Sequence, residues 1–183
     1  MHRHLSAQAG ERMGLVQVYT GDGKGKTTAA LGLALRAAGH GLRTYIGQFI
    51  KGWETGELKG AELLVQAYLT IEQFGDRHFV LTKGDPQQAA LARRGLRRVR
   101  HVLLSDEYDI VVLDEINVAL TLELVSLEDV LALLEERPSG VELVLTGRGA
   151  PQELISRADL VTEMVAVKHP YDRGIKARPG IEF

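Results

Sequence analysis

Residues 14–28, GLVQVYTGDGKGKTT, join a short apolar run to a glycine-rich loop and then to a segment rich in alanine and leucine. The apolar run at 15–19 predicts a β-strand, and residues 27–38, followed by GHG at 39–41, predict a helix. A loop between a strand and a helix N-terminus binds phosphate readily, because backbone N–H groups and the helix dipole both favour an anion there. This stretch therefore predicts a phosphate-binding loop and sets the fold class.

The loop resembles a P-loop in both composition and spacing. Gly21, Gly23 and Gly25 let the backbone approach phosphate oxygens closely, since glycine takes positive φ freely. Lys26 stands where P-loops place their phosphate-binding lysine, and Thr27 stands where a hydroxyl binds Mg²⁺. A glycine-rich turn without a ligand is the alternative, and it would require the Gly-Lys-Thr order, the strand and the helix to coincide by chance.

Two loop positions are less regular. Thr20 stands where the pattern G-x-x-x-x-G-K-[ST] has its first glycine, so we expect the chain to turn one residue later, at Gly21. Lys24 either contacts a phosphate or is a solvated loop lysine.

Strands and helices alternate along the rest of the chain. Such alternation is typical of an α/β fold in which helices cover both faces of a mostly parallel sheet. Asp85 with Pro86 predicts the start of a long helix, and Ser126 predicts the start of another. We expect strands at 15–19, 44–50, 69–74, 110–113, 141–145 and 160–167, helices at 27–38, from 85, at 126–136 and at 151–157, and a glycine-containing loop at 51–60.

A pair of carboxylates follows the apolar strand at 110–113. Asp114 and Glu115 fall at its carboxyl end, where open α/β sheets bind their ligands. We expect the pair to coordinate Mg²⁺ together with Thr27, directly or through water. The sequence does not indicate which of the two binds directly, and the alternative is that either residue caps the next helix.

Composition excludes several classes of protein. The 183 residues carry a net charge of −2 and no cysteine, which excludes disulfides, thiol catalysis and Cys-ligated zinc. The pI near 6.3 gives no general attraction to nucleic acid. We expect a cytoplasmic protein that contacts neither nucleic acid nor membrane, since the sequence has neither a secretory signal nor a run of roughly 20 apolar residues.

Three weaker signals have bland explanations. TKGD at 82–85 imitates a guanine-reading box but precedes the carboxylate strand, so we reject a GTPase. The five arginines at 93–100 form a solvated face by default, with an anionic ligand or partner as the alternative. Trp53, Phe74 and Phe79 are expected to serve packing more than ligand binding.

Taken together, the motifs resemble one known family. TGDGKGKTTAALGLALRAAGHG at 20–41, QFIKG at 48–52, VVLDEI at 111–116, LTGRGAP at 145–151, ADLVTEM at 158–164 and KHPYDRGIKARPGIEF at 168–183 are similar to the P-loop type of ATP:corrinoid adenosyltransferase. These enzymes act on cob(I)alamin or cob(I)yrinic acid a,c-diamide. The resemblance covers residues 15–183 and implies a RecA-like P-loop fold.

The resemblance implies adenosyl transfer. The family moves the 5′-deoxyadenosyl group of ATP onto the reduced cobalt of a corrinoid and releases triphosphate, in adenosylcobalamin biosynthesis or salvage. Co(I) carries no proton to remove, so no general base is needed, and positioning and electrostatics would supply the catalysis. ATP and the corrinoid are then substrates, and Mg²⁺ is the metal.

The family's functional residues carry over onto matching positions here. The triphosphate loop becomes Gly21–Thr28, which adds Asp22 and Thr28 to the nucleotide-binding residues. Arg148 follows a strand and is expected to contact a phosphate or the nucleotide, with a loop salt bridge as the alternative. The catalytic group is then Lys26, Thr27 and Glu115.

The resemblance also implies partners, and one motif departs from it. The family forms homodimers in which an N-terminal segment, here residues 1–13, closes over a neighbouring site beside the single domain 14–183. A flavoprotein reductase is a further expected partner. Better-known family members carry a Phe-x-Trp segment after the third strand that helps to displace the lower ligand of cobalt, whereas this chain has Phe74 and Phe79 without the tryptophan. Either phenylalanine is therefore a candidate corrinoid contact, and the alternative is that the corrinoid is handled differently.

Two other functions remain open at this stage. A RecA-like ATPase or nucleotide-dependent switch would use Glu115 to orient water against the γ-phosphate. A non-catalytic module would bind nucleotide or corrinoid without turnover.

Overall fold

The computed structural model of the protein describes residues 13–64, 67–76 and 82–183. Its strands are β1 Val16–Thr20, β2 Thr44–Phe49, β3 Leu69–Phe74, β4 Ile110–Asp114, β5 Glu142–Thr146 and β6 Leu160–Glu163. Its helices are α1 Lys26–Ala38, α2 Gly56–Leu64, α3 Pro86–Leu103, α4 Ile116–Thr121, α5 Leu127–Glu136 and α6 Gln152–Arg157, and a 3-10 turn follows at Pro170–Arg173.

The strands of the described chain form one sheet in the order β3-β2-β4-β5-β1-β6. Every neighbouring pair is parallel. Parallel neighbours require crossover connections, which the helices provide. The predicted α/β, P-loop-like class is therefore confirmed, and β5 separates the strand of the phosphate loop from the strand that carries the carboxylates.

Two apolar clusters cover the two faces of the sheet. In β4, Val111 and Leu113 join the cluster that includes α3, α5 and α6, while Ile110 and Val112 join the cluster of α1 and α2. This alternation follows from the period of two along a strand, and burial on both faces explains why β4 reads as a continuous apolar run. The helices therefore lie on both faces, as expected.

Helix starts agree with the predicted caps. The Asp85 carboxylate accepts a hydrogen bond from the backbone N–H of Gln88 at 2.8 Å, and Pro86 opens α3. The Ser126 hydroxyl accepts one from the backbone N–H of Asp129 at 3.1 Å. Each cap satisfies a backbone donor that the first helical turn leaves without a partner.

Three elements differ from the sequence prediction by more than one residue. The expected loop at 51–60 is wrong, because α2 begins at Gly56 and continues to Leu64. Its glycines lower helix propensity, but burial of Ala61 in the cluster beneath α1 and α2 outweighs that cost. Strand β6 ends at Glu163 instead of reaching 167, since the backbone of Met164 bonds to the phosphate loop instead. Helix α4 had not been predicted as an element.

The sheet places the candidate residues at one edge. Thr20, Asp114 and Thr146 are the last residues of β1, β4 and β5, and Gln48 pairs with Asp114 across β2 and β4. Carboxyl ends of parallel strands are where such sheets bind ligands. In the part of the chain that the structure covers, no helix has the length and apolarity to span a bilayer.

Candidate active site

The phosphate loop turns where the sequence predicts. Thr20 ends β1, and Gly21 follows with a φ of 90°. Gly25 has a φ of 130° and directly precedes α1. The Thr20 hydroxyl accepts a hydrogen bond from the backbone N–H of Ala150 at 3.2 Å. The threonine that replaces the usual glycine therefore ties the loop to the segment that follows β5.

The loop's glycines also allow it to pack against the chain beyond β6. A Cβ atom at Gly21 would lie 2.5 Å from the carbonyl oxygen of Met164, and one at Gly23 would lie 2.7 Å from the same oxygen. The backbone N–H of Gly23 donates to that carbonyl at 2.6 Å. Any side chain at these positions would separate the loop from its support.

Lys26 lies over the loop that precedes it. Its ammonium donates to the carbonyl oxygens of Gly21 at 2.6 Å and Gly23 at 2.8 Å, and the residue is 7% exposed. Burial lowers the pKa of Lys26 and outweighs the attraction of Glu115. A loop that holds an ammonium in this way presents a positive charge where a P-loop binds phosphate.

Thr27 and Asp114 are in direct contact. The Thr27 hydroxyl donates to Oδ1 of Asp114 at 2.8 Å, and the hydroxyl of Thr146 donates to the same oxygen at 2.7 Å. Asp114 is 0% exposed. The prediction that the loop hydroxyl and a strand-end carboxylate share one site is therefore supported by a hydrogen bond between them.

Glu115 has a strained backbone and does not cap α4. Its φ is 62° and ψ is 20°, the left-handed region, and its side chain makes no capping hydrogen bond. The backbone N–H donates instead to the hydroxyl of Thr146 at 3.0 Å. Burial raises the pKa of the Glu115 carboxyl, and the Asp114 carboxylate raises it further. Such strain in a non-glycine residue is concentrated at functional sites, and the capping alternative is wrong for Glu115.

Lys51 is a member of the site that the sequence interpretation missed. Its ammonium lies 2.9 Å from Oδ2 of Asp114 and 3.6 Å from Oε1 of Glu57. The amide of Gln48 donates to the same two carboxylates, at 3.2 Å and 3.0 Å. Burial alone would lower the pKa of Lys51, but the nearby carboxylates, Asp114 foremost, raise it. Its position just past β2, beside the carboxylate strand, was the signal that could have revealed it.

Arg148 and Asp22 form a weak pair at the mouth of the loop. Nε of Arg148 is 4.0 Å from Oδ1 of Asp22, and both side chains are largely exposed. An exposed pair at that separation contributes little to stability. The loop salt bridge considered for Arg148 is therefore present but weak. Thr28 is exposed at the start of α1.

Lys24 contacts the C-terminal segment. Its ammonium donates to the carbonyl oxygen of Ile181 at 2.6 Å and pairs with Glu182 at 3.0 Å. Hydrogen bonds from Arg178 first, and then from Lys24, lower the pKa of Glu182 to about 2. Lys24 is therefore bonded within the protein and is not merely a solvated loop lysine, and its contact with a phosphate stays a prediction.

Of the two phenylalanines named as candidate corrinoid contacts, Phe74 alone lies within the part of the chain that the structure describes. Phe74 is 6% exposed, its ring centroid lies 5.9 Å from that of Phe49, and it packs against Gly95. A ring buried in this way has little surface for a planar ligand, which favours the packing role. Phe79 lies outside the described residues.

The site offers oxygen ligands of the kind that Mg²⁺ prefers. Within residues 13–64, 67–76 and 82–183, no three His, Cys, Asp or Glu side chains converge on one metal position. Thr27 with Asp114 and Glu115 supplies one hydroxyl and two carboxylates. Mg²⁺ is usually held by one or two carboxylates plus substrate phosphates and water, so the residues present fit this metal.

A known protein family matches nearly the whole chain, and its description fits a nucleotide-binding site of this kind. Residues 12–183 match the model of the family described as ATP:corrinoid adenosyltransferase BtuR/CobO/CobP. The chain belongs to this family. The resemblance drawn from the motifs is thereby confirmed, and so is the prediction that the protein is a transferase.

Curated relatives cover nearly the whole chain. A corrinoid adenosyltransferase of Escherichia coli (strain K12) is 36% identical over 178 residues, 97% of this chain and 89% of the relative. One from Sinorhizobium sp is 38% identical over 184 residues, 98% of this chain and 85% of the relative. The corrinoid adenosyltransferase CobA of Salmonella typhimurium is 36% identical over 178 residues, again 97% and 89%.

Proposed function

We propose that this chain transfers the 5′-deoxyadenosyl group of ATP to the Co(I) centre of a corrinoid and releases triphosphate. The electron pair of Co(I) forms the cobalt–carbon bond at C5′, and the C5′–O bond breaks with its electrons passing to the triphosphate. The contact between Thr27 and Asp114 beside the glycine loop carries this proposal, because it joins the phosphate-binding element to a carboxylate able to hold Mg²⁺.

The chain's own residues would bind and orient the triphosphate. The N–H groups of the loop and the N-terminus of α1 favour its negative charge, and Lys26 would exchange its two carbonyl acceptors for phosphate oxygens. Thr27, Asp114 and Glu115 would hold Mg²⁺, which neutralises charge on the leaving group. Arg148, in the loop after β5, would contact the nucleotide. Catalysis of this kind depends on positioning and electrostatics.

A turnover assay tests the proposal. Purified protein is incubated with ATP, Mg²⁺ and chemically reduced cobalamin, and we expect a light-sensitive cobalt–carbon product with one triphosphate released for each product formed. Release of orthophosphate without corrinoid would instead support the ATPase alternative. Tight ATP binding without either product would support a non-catalytic module.

Lys26→Ala provides the matched mutational test. Charge-assisted hydrogen bonds are worth roughly 1.5–3 kcal/mol each, so losing two phosphate contacts should lower kcat/KM by about 100-fold or more. Lys59→Ala is the control, since Lys59 is an exposed lysine that pairs with exposed Glu54. Circular dichroism checks that both variants fold. An unchanged rate in Lys26→Ala would refute the assignment of the phosphate loop.

The assembly and setting of the enzyme are part of the same proposal. We infer a cytoplasmic homodimer in which residues 1–13 close over the partner's site, and a flavoprotein reductase that supplies the electron to cobalt. Residues 1–12 lie outside the described part of the chain. Light scattering measures the dimer, and removal of residues 1–12 should raise KM for ATP or corrinoid while residues 14–183 still fold as one domain.

A further inference from the structure

Asp114 accepts two hydrogen bonds at each of its carboxylate oxygens. Its Oδ1 accepts from Thr27 and Thr146, and its Oδ2 accepts from Lys51 and Gln48. A fully buried carboxylate requires such compensation, because an unpaired charge away from water is very costly. A metal ion that binds Asp114 must therefore displace at least one of these donors.

Lys51 occupies the place between two carboxylates. Its ammonium lies 2.9 Å from Asp114 and 3.6 Å from Glu57, and its side chain is 17% exposed. Gln48 donates to both carboxylates as well, and its Oε1 accepts from the Gln73 amide at 3.1 Å. The flexible Lys51 side chain is thus held between Asp114 of β4 and Glu57 of α2. Gln48 of β2, itself bonded to Gln73 of β3, bridges the same two carboxylates.

The charges at this edge nearly balance without a ligand. Lys26 and Lys51 offset two of the three carboxylates of Asp114, Glu115 and Glu57. A divalent cation arriving alone would lie close to a resident ammonium and would be repelled by it. A cation arriving with ATP brings the triphosphate's negative charges, which remove that repulsion.

We propose that Lys51 is a positioning residue that holds Asp114 toward Thr27 and serves as its resident counter-cation, so that the enzyme binds divalent metal only together with a triphosphate. The inference rests on the proposed Mg²⁺ site of Thr27, Asp114 and Glu115. It assigns a role to the QFIKG motif, which neither the phosphate loop nor the carboxylate pair explains. It also gives a reason for the order of binding, since Lys51 would keep metal alone out of the site until the triphosphate arrives.

Binding of Mn²⁺ to the full chain without nucleotide tests this role. Free Mn²⁺ is measured by electron paramagnetic resonance for the wild type, Lys51→Met, Lys51→Gln and Lys51→Arg. We expect Lys51→Met and Lys51→Gln to bind Mn²⁺ at least about tenfold more tightly than the wild type, because the repelling charge is gone and Oδ2 of Asp114 loses one of its two donors. Lys51→Arg should bind as weakly as the wild type.

Lys59→Met is the matched control, since it removes an exposed lysine from the same region and should leave Mn²⁺ binding unchanged. With ATP present and corrinoid absent, the advantage of Lys51→Met should shrink to less than about threefold. The proposal is overturned if neither Lys51→Met nor Lys51→Gln binds Mn²⁺ more tightly than the wild type. It is also overturned if Lys51→Arg gains as much Mn²⁺ affinity as the uncharged variants do. Two uncharged variants are included so that one failing to fold leaves the test intact.

The Mn²⁺ titration needs neither corrinoid nor turnover. If adenosyl transfer fails but the titration behaves as expected, the role of Lys51 stands as a property of a nucleotide site with another activity. If transfer succeeds and the titration fails, Lys51 has only a packing role. The two results are therefore separable.

Discussion

Asp114→Asn removes the charge from the buried carboxylate at the centre of the site while keeping its shape. The asparagine can present its oxygen to Thr27 and Thr146, but its amide then faces the ammonium of Lys51 and the amide of Gln48, so donors meet donors. The perturbation therefore acts mainly on one ion pair.

The expected loss of stability follows from the burial of that pair. Removing one partner of a fully buried ion pair costs roughly 3–5 kcal/mol. Because the side chain of Lys51 is 17% exposed and water can partly solvate its ammonium, we expect about 2–4 kcal/mol for Asp114→Asn. In a chain of this size each kcal/mol lowers Tm by roughly 2–4 °C, so Tm should fall by about 4–16 °C.

A double-mutant cycle isolates the interaction. Urea unfolding is followed by circular dichroism in EDTA without nucleotide for the wild type, Asp114→Asn, Lys51→Met and the variant with both changes. The double variant lacks both charges of the Asp114–Lys51 pair, and Glu57 keeps the Gln48 amide as a donor. Its loss should therefore be smaller than the sum of the single losses by about 1.5–3 kcal/mol.

The exposed pair of Glu54 and Lys59 provides the control cycle. Its N–O distance is 3.0 Å, similar to that of the buried pair, but its side chains are 71% and 62% exposed. We expect a coupling below about 1 kcal/mol for this pair. Two results would refute the reasoning. One is that the losses in free energy of unfolding for Asp114→Asn and Lys51→Met add to within about 0.5 kcal/mol. The other is that Asp114→Asn alone lowers the free energy of unfolding by less than about 1 kcal/mol.

Three further predictions follow from other contacts. Gly23→Ala should destabilise the protein by about 1–3 kcal/mol and weaken ATP binding at least about tenfold, because its Cβ would meet the backbone of Met164. Gly60→Ala is the control and should not destabilise the protein, because open space surrounds its new Cβ. Urea unfolding measures the stability, and titration with ATP measures the binding. Phe74→Leu should cost about 1–2 kcal/mol of stability and leave the KM for corrinoid unchanged, since the ring is buried, and a raised KM at normal stability would restore its corrinoid role. Carbon-13 NMR should find the Glu182 carboxyl still mostly ionised at about pH 3.5, because its pKa is lowered to about 2. The stability that its contacts provide is lost as the pH falls from the ordinary carboxyl pKa of about 4.3 toward 2. Lys24→Met should raise the pKa of Glu182, since it removes one of the hydrogen bonds that lower it.

Several elements were predictable because neighbouring residues determine them. The caps at Asp85 and Ser126 act within three residues of their acceptors, and the bend at Gly21 depends on local φ. By contrast, helix α2 was not predicted, because the glycines in this segment favour a loop by local propensity. Burial of Ala61 against the sheet favours the helix instead. Local rules fail where tertiary burial opposes propensity.

The sequence by itself determined the phosphate loop, the carboxylates at the end of a buried strand, the parallel α/β class and the family. These depend on residue order and on periodicities that a one-dimensional pattern retains. Only the tertiary structure decided that Lys51 pairs with Asp114, 63 positions away, and that Lys24 bonds to the carbonyl of Ile181, 157 positions away. Such contacts depend on which strand ends the sheet order brings together, and no local property of a lysine distinguishes a buried partner of a carboxylate from a solvated side chain.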